Sequence, residues 1–140
     1  MKKLLILISF LGIFLSGCSG MKYGNYTKIS HDYNQVFAEN AYTQLSILYP
    51  PGTSRLKLSH EFNNDAFGIV LHEKLKNAGY AIYQSFNNEE SEGISLAYVI
   101  DKTDQDTYRV ILFIDGKPLT KCFLVKNGKA ISLGFWTKQE

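Results

Sequence analysis

The sequence predicts an α+β domain in which two helices pack on a mostly antiparallel β-meander, preceded by a lipidated flexible tether. Three observations carry this. Two stretches, 32–49 and 63–78, repeat apolar residues at helical spacing and are closed by proline or glycine. The C-terminal half is rich in Val, Ile, Tyr and Phe, the residues that suit strands. Two dipeptides in that half, Asp115-Gly116 and Asn127-Gly128, are hairpin turn signals.

The N-terminus comes first. Lys2 and Lys3 form a positive start, and Leu4 to Leu15 is apolar apart from Ser9 and Gly12. That run is too short to cross a bilayer core of roughly 30 Å, which needs about 20 residues. It fits the apolar core of an export signal. It closes on Leu15-Ser16-Gly17-Cys18, which resembles the bacterial lipobox. The resemblance implies cleavage before Cys18 and lipid on its thiol and new amino group. One acyl chain holds a protein to a membrane only marginally, whereas two or more hold it stably. In lipoproteins of the type this sequence resembles, an Asp after the cysteine tends to retain the protein in the inner membrane. Ser19 stands there instead, so the resemblance implies the outer membrane, facing the periplasm. Residues 1–17 are read as signal peptide, 18–30 as lipidated tether and 31–140 as one domain. Gly20, Gly24, Asn25 and Ser30 make the tether segment loose.

The first helix is predicted over Asp32–Tyr49. Asp32 is its expected cap, and Phe37, Ala41, Leu45 and Leu48 share a face. Pro50-Pro51 stops it. Arg55 to Leu58 alternates polar and apolar and reads as a short strand. Asn63-Asn64-Asp65 offers caps for a second helix running to Ala78, with Phe67, Val70, Leu71 and Leu75 on its apolar side. Gly79 ends it. Gly68 inside this helix costs about 1 kcal/mol relative to alanine, which close packing against a sheet explains. Strands follow at Tyr80–Phe86, Leu96–Asp101, Thr107–Ile114, Leu119–Lys126 and Ala130–Thr137. Asn87 to Gly93 is a polar loop holding Glu89, Glu90 and Glu92.

Composition narrows the function. Loss of Lys2 and Lys3 with the signal leaves Lys plus Arg level with the 13 Asp plus Glu. A near-neutral chain without a Lys/Arg run offers no field for direct nucleic-acid binding. Cys18 is taken by lipid, so Cys122 has no internal disulfide partner and is read as a buried packing residue in Lys121–Val125. His31, His60 and His72 have no metal-ligand spacing, and His72-Glu73 lacks the second histidine of a zinc helix. Asp101, Asp104 and Asp106 cluster in a turn, but Thr103, Gln105 and Leu112 stand where a calcium loop needs its other ligands. There is no G-x-S-x-G elbow and no Gly-rich phosphate loop. The expectation is no enzyme, no catalytic residue, no metal, no cofactor and no small-molecule substrate.

From Tyr49 onward the sequence resembles the TrbH family of conjugal transfer lipoproteins. The resemblance is carried by four segments: Leu48-Tyr49-Pro50-Pro51-Gly52-Thr53-Ser54-Arg55-Leu56-Lys57-Leu58; Asp65 to Leu71 with Ala78 to Ile82; Leu96 to Asp101 with Tyr108-Arg109-Val110; and Gly134-Phe135-Trp136-Thr137. It implies a structural part in a mating-pair apparatus, a type IV secretion system. The implied partners are the membrane, through Cys18, and other apparatus subunits. The last strand is a candidate docking edge, with Trp136 as its aromatic partner contact or, equally, as a closing core residue. Two other readings stay open on sequence alone. One is a general envelope lipoprotein that binds peptidoglycan or assists outer-membrane assembly. The other is a lipid-anchored hydrolase, for which no catalytic constellation is visible.

Overall fold

A computed structural model describes residues 22–84 and 92–139. Its first element is a two-residue strand, β1 (Gly24–Asn25), in the segment expected to be loose tether. It pairs in parallel with β4 (Ile94–Lys102), Gly24 beside Val99. Tyr26 N–H donates to the Ile100 carbonyl at 2.8 Å. Gly24 and Asn25, expected in a loose segment, thus join the sheet. Glycine and asparagine lowered the strand signal, yet an open stretch of β4 edge takes up the backbone groups whatever the side chains.

Helix α1 (His31–Leu48) starts one residue before its expected limit. Ser30 is its N-cap, and Asp32 stands in the first turn instead, where its charge meets the positive end of the helix dipole. Asn34, buried on this helix, donates to the carbonyls of Ile29 (3.2 Å) and Ser30 (3.1 Å) and accepts from Asn25 Nδ2 at 3.1 Å. One amide thus ties the helix start to β1. Phe37, Ala38, Ala41 and Leu45 form the buried stripe. Tyr49 closes the helix by donating to the Leu45 carbonyl, and Pro51 opens a short 3-10 turn.

Strand β2 (Arg55–Leu58) buries Leu56 and Leu58. A 3-10 turn (Phe62–Asn64) leads to α2 (Ala66–Asn77), which ends at Gly79 with φ +91°. Left-handed backbone there favours glycine. Strand β3 (Ala81–Gln84) follows. It runs parallel to β2, Leu56 beside Ile82, so β2, α2 and β3 form a crossover unit rather than part of a meander. The helix carries the chain back to its starting end, which only a parallel neighbour can use. β2 is also parallel to β4, Leu58 beside Leu96.

The meander proper is β4, β5 (Thr107–Ile114), β6 (Lys117–Lys126) and β7 (Lys129–Lys138), all antiparallel. Asp115 and Gly116 have φ +49° and +75°, and Asn127 and Gly128 have +52° and +72°. Positive φ at both central positions matches the twist of two-residue hairpins. The sheet order is β3-β2-β4-β5-β6-β7, with β1 also on β4.

Both helices contribute to one core with one face of this sheet. Leu96, Tyr98 and Ile100 of β4, Val110, Leu112 and Ile114 of β5, and Leu119 and Phe123 of β6 join the helical stripes. Between them on the strands, Val99, Ile111, Phe113 and Leu124 are half-buried on the opposite face.

Candidate functional site

Cys18 and the acidic pair Glu89 and Glu90 lie outside the described residues. The histidines do not converge, and no group of three metal-ligating side chains occurs among the described residues. Asp101 binds Arg109 through Nε at 3.0 Å, while Asp104 accepts from Gln105 N–H at 2.7 Å and shapes the β4–β5 turn. Ser54 and Lys57 have a Ser-x-x-Lys spacing, but the chain there runs into β2, where residues three apart point to opposite faces. Cys122 is half-buried, not buried. It pairs with Leu133 of β7 and points away from the helices, because Phe123 takes the core side of β6.

The polar cluster nearest to an active-site arrangement surrounds Asp65. This residue caps α2: Oδ1 accepts from Gly68 N–H at 3.0 Å. Oδ2 accepts from the Tyr98 hydroxyl at 2.6 Å. Tyr98 is fully buried, and burial together with the Asp65 carboxylate raises its pKa, so it stays a neutral donor. His60 packs its ring 4.5 Å from Tyr98, 4.8 Å from Phe62 and 5.5 Å from Tyr23. Both its ring nitrogens are buried without a hydrogen-bond partner. Chemically this is an acceptor held by two donors beside an uncharged imidazole. Through these two bonds Asp65 ties the start of α2 to β4 of the sheet. Sequence reasoning identified Asp65 as a cap and missed Tyr98 and His60, because 33 residues separate Asp65 from the hydroxyl it accepts.

This cluster sets a pH dependence. Burial lowers the His60 pKa below its usual 6.5, and the Asp65 charge opposes that only in part. The folded state thus holds a neutral ring that the unfolded chain protonates more readily. Stability is full above about pH 6.5 and falls as pH drops from there toward the lower folded-state pKa. A melting series from pH 7.5 to 5 is expected to fall less steeply in His60→Gln than in the unaltered chain; parallel curves would count against it.

The second candidate is the exposed edge of the sheet. Trp136 is partly buried, packs against the core and lies under Lys121 Nζ, 6.0 Å from its ring centroid. Its neighbour Phe135, which sequence reasoning passed over, is 90% exposed. Phe135 lies on the outer face with Ile131 and Leu133, at a bulge. Thr120 pairs with Thr137 and Cys122 with Leu133, so three residues of β7 oppose Lys121 alone. Gly134, with φ +64°, makes the kink. A glycine inside a strand pattern is the sequence signal for such a bulge, and the strand reading of Ala130–Thr137 did not use it.

The comparisons with known proteins add a family. No curated protein and no solved structure matches the chain. The family described as conjugal transfer protein TrbH matches residues 19–140, which takes in every described element of the fold. The chain belongs to the TrbH family of conjugal transfer proteins.

Proposed function

We propose that this chain is a non-catalytic structural lipoprotein of a conjugative type IV secretion, or mating-pair formation, apparatus, held by lipid on Cys18 at the outer membrane and facing the periplasm. The family match across 19–140 carries the reading, and envelope association follows from the family. The polar residues of the fold support it: Asp65, Asn34 and Asp104 are engaged in caps and turns rather than gathered at a cleft. No described helix is long and apolar enough to cross a membrane. Four residues lie between Cys18 and Tyr23, five Cα steps, and the Tyr23 ring packs on Phe113 at 5.3 Å. That length spans at most about 18 Å. The domain is then held close to the lipid surface rather than on a long leash.

Cys18→Ser tests the anchor. Incorporation of a palmitate analogue is expected to vanish, with loss of the mature protein from the membrane fraction. Equal labelling of both forms would sink the lipid assignment. Conjugation frequency in a strain deleted for this gene tests the apparatus: a fall restored by the unaltered gene, and not by the Cys18→Ser form, is expected. Full transfer without the gene would remove the conjugation reading.

A further inference from the structure

We infer that the β7 edge is the docking site for an extended, acidic segment of another protein, which adds to the sheet as a further strand beside Lys129–Leu133. This rests on the structural role proposed above and names the surface and the chemistry of the partner.

Three observations meet at this edge. β7 is the last strand of the sheet, and no strand pairs with its far side among the described residues. Its backbone donors and acceptors on that side are what a partner strand completes. Its outer surface is apolar: Ile131 is 50% exposed, Leu133 41% and Phe135 90%. Ile131 pairs with Leu124 and Leu133 with Cys122, so the apolar strip continues inward across β6. Finally, the whole β6–β7 hairpin is basic. Between 117 and 138 it carries Lys117, Lys121, Lys126, Lys129 and Lys138 and no Asp or Glu. In a mature chain that is neutral as a whole, this is a local excess that carboxylates complement.

The same observations choose among occupants. A bilayer would accept Phe135 and the lysines, but it offers nothing to the unpaired backbone of a strand edge. A second copy would bring the same lysine-only hairpin against itself with no carboxylate between, and like charges across paired strands repel. A strand with alternating apolar side chains and acidic residues at its ends meets all three demands. The bulge sets the length: regular pairing runs from Lys126 opposite Lys129 to Cys122 opposite Leu133, about five residues, before Gly134 turns the edge away.

The test uses the full chain in a transfer-competent strain. Phe135 is replaced by the photo-crosslinker p-benzoylphenylalanine, and the crosslinked peptide is sequenced by mass spectrometry. The expected adduct is to another protein, at a segment carrying two or more Asp or Glu within about six residues. Lys126→Glu combined with Lys129→Glu is expected to reduce it at least about fivefold, and the corresponding Arg pair to keep it. Should the Glu pair lower the melting point, Lys129→Glu alone carries the same test. An adduct to lipid, to a second copy of the chain or to a segment without acids overturns the inference. So does no adduct, or one that charge reversal leaves unchanged. Transfer measured in the deletion strain separates the two levels. If transfer needs the gene but no acidic adduct forms, only the docking inference falls. If transfer is full without the gene, the apparatus role falls and the adduct still decides the edge.

Discussion

Phe37→Ala is expected to destabilise the domain by about 3–5 kcal/mol, the cost of emptying a buried aromatic site. Phe37 is fully buried, with its ring 4.5 Å from that of Phe123 on β6 and 6.1 Å from that of Tyr108 on β5. It is the aromatic contact through which α1 grips the middle of the meander. The neighbours are poorly placed to collapse into the space: Phe123 lies on a central strand bonded on both sides, and Ala38 and Ala41 are too small to reach. Small domains are stable by about 5–15 kcal/mol, so this loss is a large fraction of the whole. Ile47 on the same helix is 68% exposed, and Ile47→Ala is expected to change stability by less than about 0.5 kcal/mol. Urea denaturation of the two variants checks the contrast. A Phe37→Ala loss below about 1 kcal/mol would mean that α1 contributes little to the core.

Gly68→Ala is expected to cost about 3 kcal/mol, against the direction of helix propensity. In an open helix the change would gain about 1 kcal/mol. Here a Cβ would lie inside the van der Waals radii of the Phe62 carbonyl oxygen and the Tyr98 hydroxyl oxygen, and 2.9 Å from the Phe62 carbonyl carbon. A flexible side-chain end can move aside, but the Phe62 carbonyl is backbone, and Phe62 itself is fully buried. The Tyr98 hydroxyl is also held, by Asp65 Oδ2. Relief therefore requires α2 to move away from the 3-10 turn, which strains its own cap. Forced overpacking costs about 1–3 kcal/mol and at times more, and a backbone obstacle belongs at the upper end. Adding Tyr98→Phe removes one of the two obstacles and is expected not to restore stability, since the carbonyl remains. Thermal and urea denaturation of the single and double variants would show it. A stability equal to or above that of the unaltered chain would mean that the turn yields freely.

Elements set by local chemistry were legible in the sequence. Pro50-Pro51 had to end α1, Asp65 had to cap α2, and Gly79 had to close it, because each acts on its own backbone or on residues within a turn of it. The two hairpins followed from Asp115-Gly116 and Asn127-Gly128 by the same locality. Period two allows β5 only two alternating faces, and packing buries Val110, Leu112 and Ile114.

Other features depended on which strand lies beside which. Whether β3 continues the meander or returns beside β2 is decided by where α2 delivers the chain, and nothing in Ala81–Gln84 states it. Gly24 and Asn25 look like loop until the open edge of β4 is present to pair them. Gly68 is legible as an anomaly, but its reason is a tyrosine 30 residues along the chain and a carbonyl in the preceding turn. At the candidate docking edge, Trp136 and Phe135 are both aromatic, and a regular strand would fix their faces by simple alternation. The alternation survives the bulge at Gly134, because Leu133 to Thr137 is four steps against two from Cys122 to Thr120. Ile131, Leu133 and Phe135 therefore share one face and Ala130 and Trp136 the other, and the tertiary structure decides only which of the two faces meets the core. The sequence by itself determined where helices and turns begin and end, because capping and backbone preferences act over a few residues. Only the tertiary structure decided which edges stay open and which side chains line them, because strand neighbours are chosen among residues far apart in the chain.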